Sequence, residues 1–92
     1  MHKIQQQLVD ATSSAMMVVN VSNDYTKGQI EGFLDAGAII IAPRNNPDTM
    51  LAEIVSALQN DIEALKKHKE PYAEGKIKAL EVTMEIVEKK MN

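Results

Sequence analysis

The sequence predicts a small, helix-dominated α/β protein, with an N-terminal helix, a βαβ unit holding a short parallel strand pair, and a C-terminal antiparallel helical hairpin. Three observations carry that expectation. Apolar residues recur at helical spacing through residues 46–92. The run "AIIIAP" at 38–43 is β-branched and bounded by proline. Gly37 stands just ahead of it, where a helix would stop. The alternative is an all-α four-helix bundle, in which 15–21 and 38–42 are helical.

In the first half, Ile4, Leu8, Ala11 and Ala15 keep helical spacing, so residues 2–14 read as helix. After Ser14 the stretch "AMMVVNV" (15–21) reads as a short buried strand. The segment "SNDYTKGQIEGFLDAGA" supplies a helix from about Asp24 to Ala36, with Ile30, Phe33 and Leu34 inward and Gly37 as its C-cap. A strand at 38–42 needs a partner for its backbone N–H and C=O groups, and 15–21 is the one candidate. Strand, helix, strand then forces a parallel pair with a right-handed crossover. If the first helix instead runs past Ser14, Val18 extends its seam and the bundle follows.

The second half is plainer. Asn46 is a good N-cap and Pro47 suits a first helical position. Leu51, Val55, Leu58, Ile62 and Leu65 follow with alternating spacings of four and three. Beyond Pro71, Ala73, Ile77, Leu80, Met84, Val87 and Met91 continue the rhythm, a coiled-coil-like seam on each helix. An antiparallel register pairs Leu65 with Ala73, Ile62 with Ile77, Leu58 with Leu80, Val55 with Met84 and Leu51 with Val87. Its turn falls near Lys69, where "HKEP" breaks the pattern. Asp48 opens the first helix and Lys66, Lys67 and Lys69 close it; Glu70 and Glu74 open the second and Lys89 and Lys90 close it, all favourable to the helix dipoles.

Length and composition bound the function. The 92 residues make one domain, with 1–45 and 46–92 as its two parts. A chain of that size buries only ~60–65% of its unfolded surface, which favours self-association. A net charge of −3 and three aromatic residues (Tyr25, Phe33 and Tyr72) argue against nucleic-acid binding. The absence of cysteine excludes disulfides and thiolate chemistry and fits a reducing, cytoplasmic setting. Asp10 and the glutamines near it spoil a signal-peptide pattern, and no apolar run reaches the ~20 residues of a membrane span.

No pattern for a cofactor, metal or catalytic group emerges. His2 and His68 lack ligand spacing, and Glu74, Glu81, Glu85 and Glu88 alternate with lysines as a solvated face does. Gly28 and Gly32 permit close helix packing, a feeble signal in a chain without membrane spans. The six methionines read as core filler. The sharpest site follows from the βαβ unit, whose strand ends would bring Ser22, Asn23, Asp24, Thr26 and Lys27 together with Arg44, Asn45 and Asn46 around an anion. That gives the alternative function, a small-molecule or nucleotide-binding module. The plainer reading of those residues is scaffold, with Arg44 free of any folding role.

The preferred function is a non-enzymatic, homo-oligomeric protein-interaction module. In a bacterial or phage setting it would suit a small regulator, inhibitor or adaptor. Its partners would be a second copy and another protein, and its surface the apolar stripe beside the hairpin seam: Ile54, Ala57, Tyr72, Ala79, Val82 and Ile86. The seam itself is directly testable. Leu58→Asp should unfold the chain, seen as lost helicity by circular dichroism, because it buries an unpaired charge. Glu85→Gln, on the solvated face, should shift stability by less than about 0.5 kcal/mol.

Overall fold

The computed structural model describes residues 1–92 and consists of four helices: α1 (Lys3–Met17), α2 (Asp24–Ile41), α3 (Met50–Leu65) and α4 (Pro71–Met91). There is no strand, so the βαβ unit is overturned and the all-α bundle is the fold. Residues 15–17 end α1, and 38–41 are the last turn of α2. Gly37 is not a C-cap; the helix runs through it with an ordinary negative φ. Leu34, expected inward, is 52% exposed.

The isoleucine run misleads because β-propensity reports packing on a half-buried sheet more than a backbone preference. Successive helix residues turn by about 100°, so the three isoleucines take three environments. Ile40 is fully buried, Ile39 half-buried and Ile41 exposed. Two isolated parallel strands would also leave both outer edges unpaired, whereas a helix satisfies its own backbone.

Local chemistry explains most of the boundaries. His2 and Gln5 form a capping box at α1, and Asn23 and Thr26 form one at α2. Pro71 opens α4 as expected, with Lys89 and Lys90 in its last turn. α3 starts later than Asn46 suggests. Asn46 Oδ1 accepts from the Asp48 N–H at 2.9 Å, closing a separate turn, and the helix begins at Met50. On α3 the fully buried stripe is Met50, Ile54, Leu58 and Ile62; Leu51, Val55 and Leu65 are half-buried. The buried face is thus turned toward what the sequence offered as the side of the seam.

Chain direction alternates, up-down-up-down, but the bundle is not square. α2 and α4 run parallel and touch through their backbones. A Cβ on Gly28 would collide with the Tyr72 carbonyl, and one on Gly75 with the Tyr25 carbonyl. At Gly32 it would lie 2.7 Å from the Lys76 carbonyl oxygen and 2.8 Å from Ala79 Cβ. The diagonal pair has collapsed together, while no Cα of α1 lies within 8 Å of one in α3. A 3.1 Å ion pair of Lys76 with Asp35 ties the same two helices further along.

The reciprocal contacts express an approximate twofold relation between the α1–α2 and α3–α4 hairpins. Gly28, Gly32, Phe33, Ala36 and Ile40 are the buried residues of α2. Each recurs 47 positions later as Gly75, Ala79, Leu80, Thr83 and Val87, which with Ala73 are the buried residues of α4. Ile4, Leu8, Thr12 and Met16 of α1 likewise correspond, 46 positions on, to Met50, Ile54, Leu58 and Ile62 of α3. Between equivalent core positions the second hairpin therefore holds one residue more, 13 positions from Ile62 to Gly75 against 12 from Met16 to Gly28. One core cluster, from Leu8 and Ile40 to Leu58 and Val87, spans both hairpins.

Glycine-to-alanine substitutions separate contact from mere composition. Gly28→Ala and Gly75→Ala should each lower the melting temperature, since overpacking costs about 1–3 kcal/mol against at most ~1 kcal/mol of helix propensity gained. Gly37→Ala should raise it, through a stability gain of about 0.4–1 kcal/mol, because nothing lies within 4 Å of the added Cβ. Thermal melts of the three variants check the sign directly.

Candidate functional site

The residues proposed to hold an anion fall into two groups, and the structure keeps them apart. Ser22, Asn23, Asp24, Thr26 and Lys27 lie at the start of α2; Arg44, Asn45 and Asn46 lie just past its end. The fourteen helical residues 28–41 lie between them, about 21 Å at 1.5 Å per residue. The shared crevice depended on two strands ending side by side, and it does not form.

Each group instead serves the helix beside it. Asn23 Oδ1 accepts from the Thr26 N–H at 2.9 Å. Thr26 Oγ1 accepts from the N–H groups of Ser22 at 2.8 Å and Asn23 at 3.1 Å. Asp24 adds a carboxylate to the first turn. At the far end, Arg44 Nη1 donates to the carbonyls of Ile39 at 2.8 Å and Ala42 at 3.0 Å. Its Nε lies 3.5 Å from Glu53 Oε1, on α3. Arg44 is therefore the cap of α2 and a tether to the next helix, with a side chain only 11% exposed. Asn45 is exposed and Asn46 is engaged in its turn.

Gln5 was not singled out by the sequence, yet it is buried and joins two elements. Its Nε2 donates to the Ile40 and Ala42 carbonyls at 2.8 and 3.1 Å, while its Oε1 accepts from the His2 N–H at 2.9 Å. One amide thus closes the N-terminus of α1 and the C-terminus of α2. The signal was a glutamine three residues after a capping side chain, disguised because the cap is His2 and not Ser or Thr.

The expected interaction stripe is largely consumed inside the chain. Ile54 and Ala79 are fully buried, and Ala57, Val82 and Ile86 are half-buried. Tyr72 keeps 37% exposure, with the Lys76 ammonium 5.7 Å from its ring centroid. The hydrogen bond from Lys76 to Asp35 raises the lysine pKa above its ordinary value, and Glu63 does the same to exposed Lys66.

Exposed apolar side chains gather on the other hairpin. Met17 and Val18 are 80% and 81% exposed, and Val21, Leu34 and Ile41 are about half exposed. Between α1 and α2 runs a small groove lined by Val9, Thr12, Ser13, Met16, Phe33, Leu34 and Gly37. Thr12 Oγ1, on its floor, is buried without a protein hydrogen-bond partner. From Ala11 to Asn23 and from Ala36 to Pro43 there is no charged residue.

Fold and site together define a two-hairpin helical bundle with one apolar flank. No helix is long and apolar enough to cross a membrane. Comparison with protein-family models, curated proteins and solved structures gives no match.

The capping geometry reverses the expectation that Arg44 is silent in folding. Arg44→Ala should destabilise the free chain by about 1–2 kcal/mol, since it strips charge-assisted bonds from the last carbonyls of α2. Arg44→Lys should recover only part, because a point charge cannot reproduce the guanidinium fork. Chemical denaturation of both variants measures the difference.

Proposed function

We propose that this chain is a non-enzymatic interaction module that associates with itself and with another protein through the outer flank of its α1–α2 hairpin. One observation carries the reading: the large side chains Met17, Val18, Val21, Leu34 and Ile41 stay exposed on a single hairpin, and all but Leu34 lie in sequence without charge. An exposed apolar flank with a groove between its two helices is the kind of surface that marks binding sites on small proteins. The role is binding and not catalysis because Asn23, Thr26 and Arg44 are already committed to helix ends and Asn46 to a turn. A cytoplasmic regulator, inhibitor or adaptor belongs to the same proposal.

The association is weak. The accessible surface is 5601 Å², close to the about 5300 Å² expected for a folded monomer of this mass. The core closes without a partner, so a second copy adds to a stable fold instead of completing it. Light scattering should show a monomer at low micromolar concentration and growing dimer toward millimolar. The melting temperature should rise over the same range. A fixed monomer mass and constant melting temperature throughout would remove self-association from this reading.

A further inference from the structure

The two hairpins allow an internal comparison that selects one surface. At equivalent outward positions the second hairpin carries charge where the first is apolar. Glu63 corresponds to Met17, Glu81 to Leu34 and Glu88 to Ile41. The grooves correspond too. Gln59, Ile62, Glu81 and Met84 line the α3–α4 groove in the positions that Ser13, Met16, Leu34 and Gly37 occupy in the α1–α2 groove. The same backbone thus supports a solvated groove in one half and an apolar one in the other. Where Met84 is half-buried against the core, Gly37 leaves open space.

Along α2 this flank repeats as Ile30, Leu34, Gly37 and Ile41, with spacings of four, three and four. That is the rhythm of a helix seam built to meet another helix. The order of the spacings is the same read in either direction. An antiparallel copy related by a twofold axis therefore sets Ile30 against the partner's Ile41, and Leu34 against the partner's Gly37. A projecting side chain meets an open space, twice, and the two isoleucine pairs close the ends.

We propose that the α1–α2 flank is the interface of an antiparallel homodimer, in which Leu34 of each copy enters the space left at Gly37 of the other. The inference rests on the self-association read above and names its surface. The strip is about 17 Å long and roughly two helices wide, offering on the order of 400 Å² per copy, half the ~800 Å² of a standard interface. The dimer is accordingly weak and reversible. Because the equivalent flank of the α3–α4 hairpin carries Glu63, Glu81 and Glu88, association stops at two copies and does not propagate.

Sedimentation equilibrium of the full chain and two variants tests this. The wild type should fit a monomer–dimer equilibrium with a dissociation constant between micromolar and millimolar. Leu34→Lys should be monomeric throughout. Gly37→Leu is the decisive variant. In the dilute monomer it has room and gains helix propensity, so its melting temperature should rise. Filling the space should nevertheless weaken dimerisation at least tenfold. If Gly37→Leu dimerises as well as the wild type or better, the interlock is wrong, because a merely sticky patch gains from an added leucine. If Leu34→Lys still dimerises, the surface is elsewhere and self-association stands without it. A wild type that stays monomeric to millimolar overturns both, and would leave the flank to a different protein.

Discussion

Everything in this fold is arranged around one backbone contact, where the carbonyls of Tyr25 and Tyr72 reach across to Gly75 and Gly28. Side chains normally hold helix axes 8–10 Å apart. Removing them at this crossing lets α2 and α4 approach until main chain meets main chain, and a short diagonal forces the other diagonal to lengthen. α1 and α3 are consequently kept apart, each packing against both central helices. The larger residues of α2 and α4, Ile40 and Val87, lie a few turns beyond the crossing and join the leucines and isoleucines of α1 and α3 in a single core. An added methyl at Gly28 or Gly75 therefore acts on the whole bundle, because it changes the spacing on which every other helix pair depends.

The reciprocity of that contact gives the molecule two hairpins with equivalent interiors and different exteriors. The interior tolerates Phe33 against Leu80, Ala36 against Thr83 and Ile40 against Val87, all changes of modest volume. Thr83 is accommodated because its hydroxyl donates to the Ala79 carbonyl at 2.9 Å. Thr12, standing where Leu58 does in the second hairpin, has no such partner. Outside, nothing in the packing dictates the residue, so the contrast between Leu34 and Glu81, or Ile41 and Glu88, does not come from the fold. That contrast is the strongest reason to look for function on the first hairpin.

The C-terminal helices were legible because their apolar spacing, prolines and terminal charges agree, and Leu58, Ile62, Leu80 and Val87 are buried as the spacing implied. The first half was harder for a physical reason. Its isoleucine run, its mid-helix glycine and its valine-rich connection each satisfy a local rule for strand, and only the tertiary setting removes the partner a strand would need. The glycine pair at 28 and 32 is visible in the sequence but carries little meaning alone. Its meaning required Gly75, on a helix 47 positions away, and the correspondence of Tyr25–Gly28 with Tyr72–Gly75 is too short to stand out unaided. The candidate anion site failed along with the strands that were to assemble it. The role of Gln5 is not legible in the sequence because its two acceptors, the carbonyls of Ile40 and Ala42, are remote along the chain.

Capping also accounts for where polar groups were spent. A four-helix chain of this length has eight helix ends, each with up to four backbone groups lacking an intrahelical partner. Asn23, Thr26, Arg44 and Gln5 are drawn into that task, and Asn46 closes the turn that precedes α3. Few uncommitted polar side chains remain on the N-terminal hairpin between Ala11 and Val21 or between Ala36 and Pro43, and none of them is charged. The recognition proposed for that flank accordingly relies on shape and apolar contact, with Gly37 supplying the depth and Leu34, next to Asp35, the projection. A surface of that kind selects by fit and not by charge, and the proposed antiparallel homodimer is the arrangement in which its projection and its open space meet.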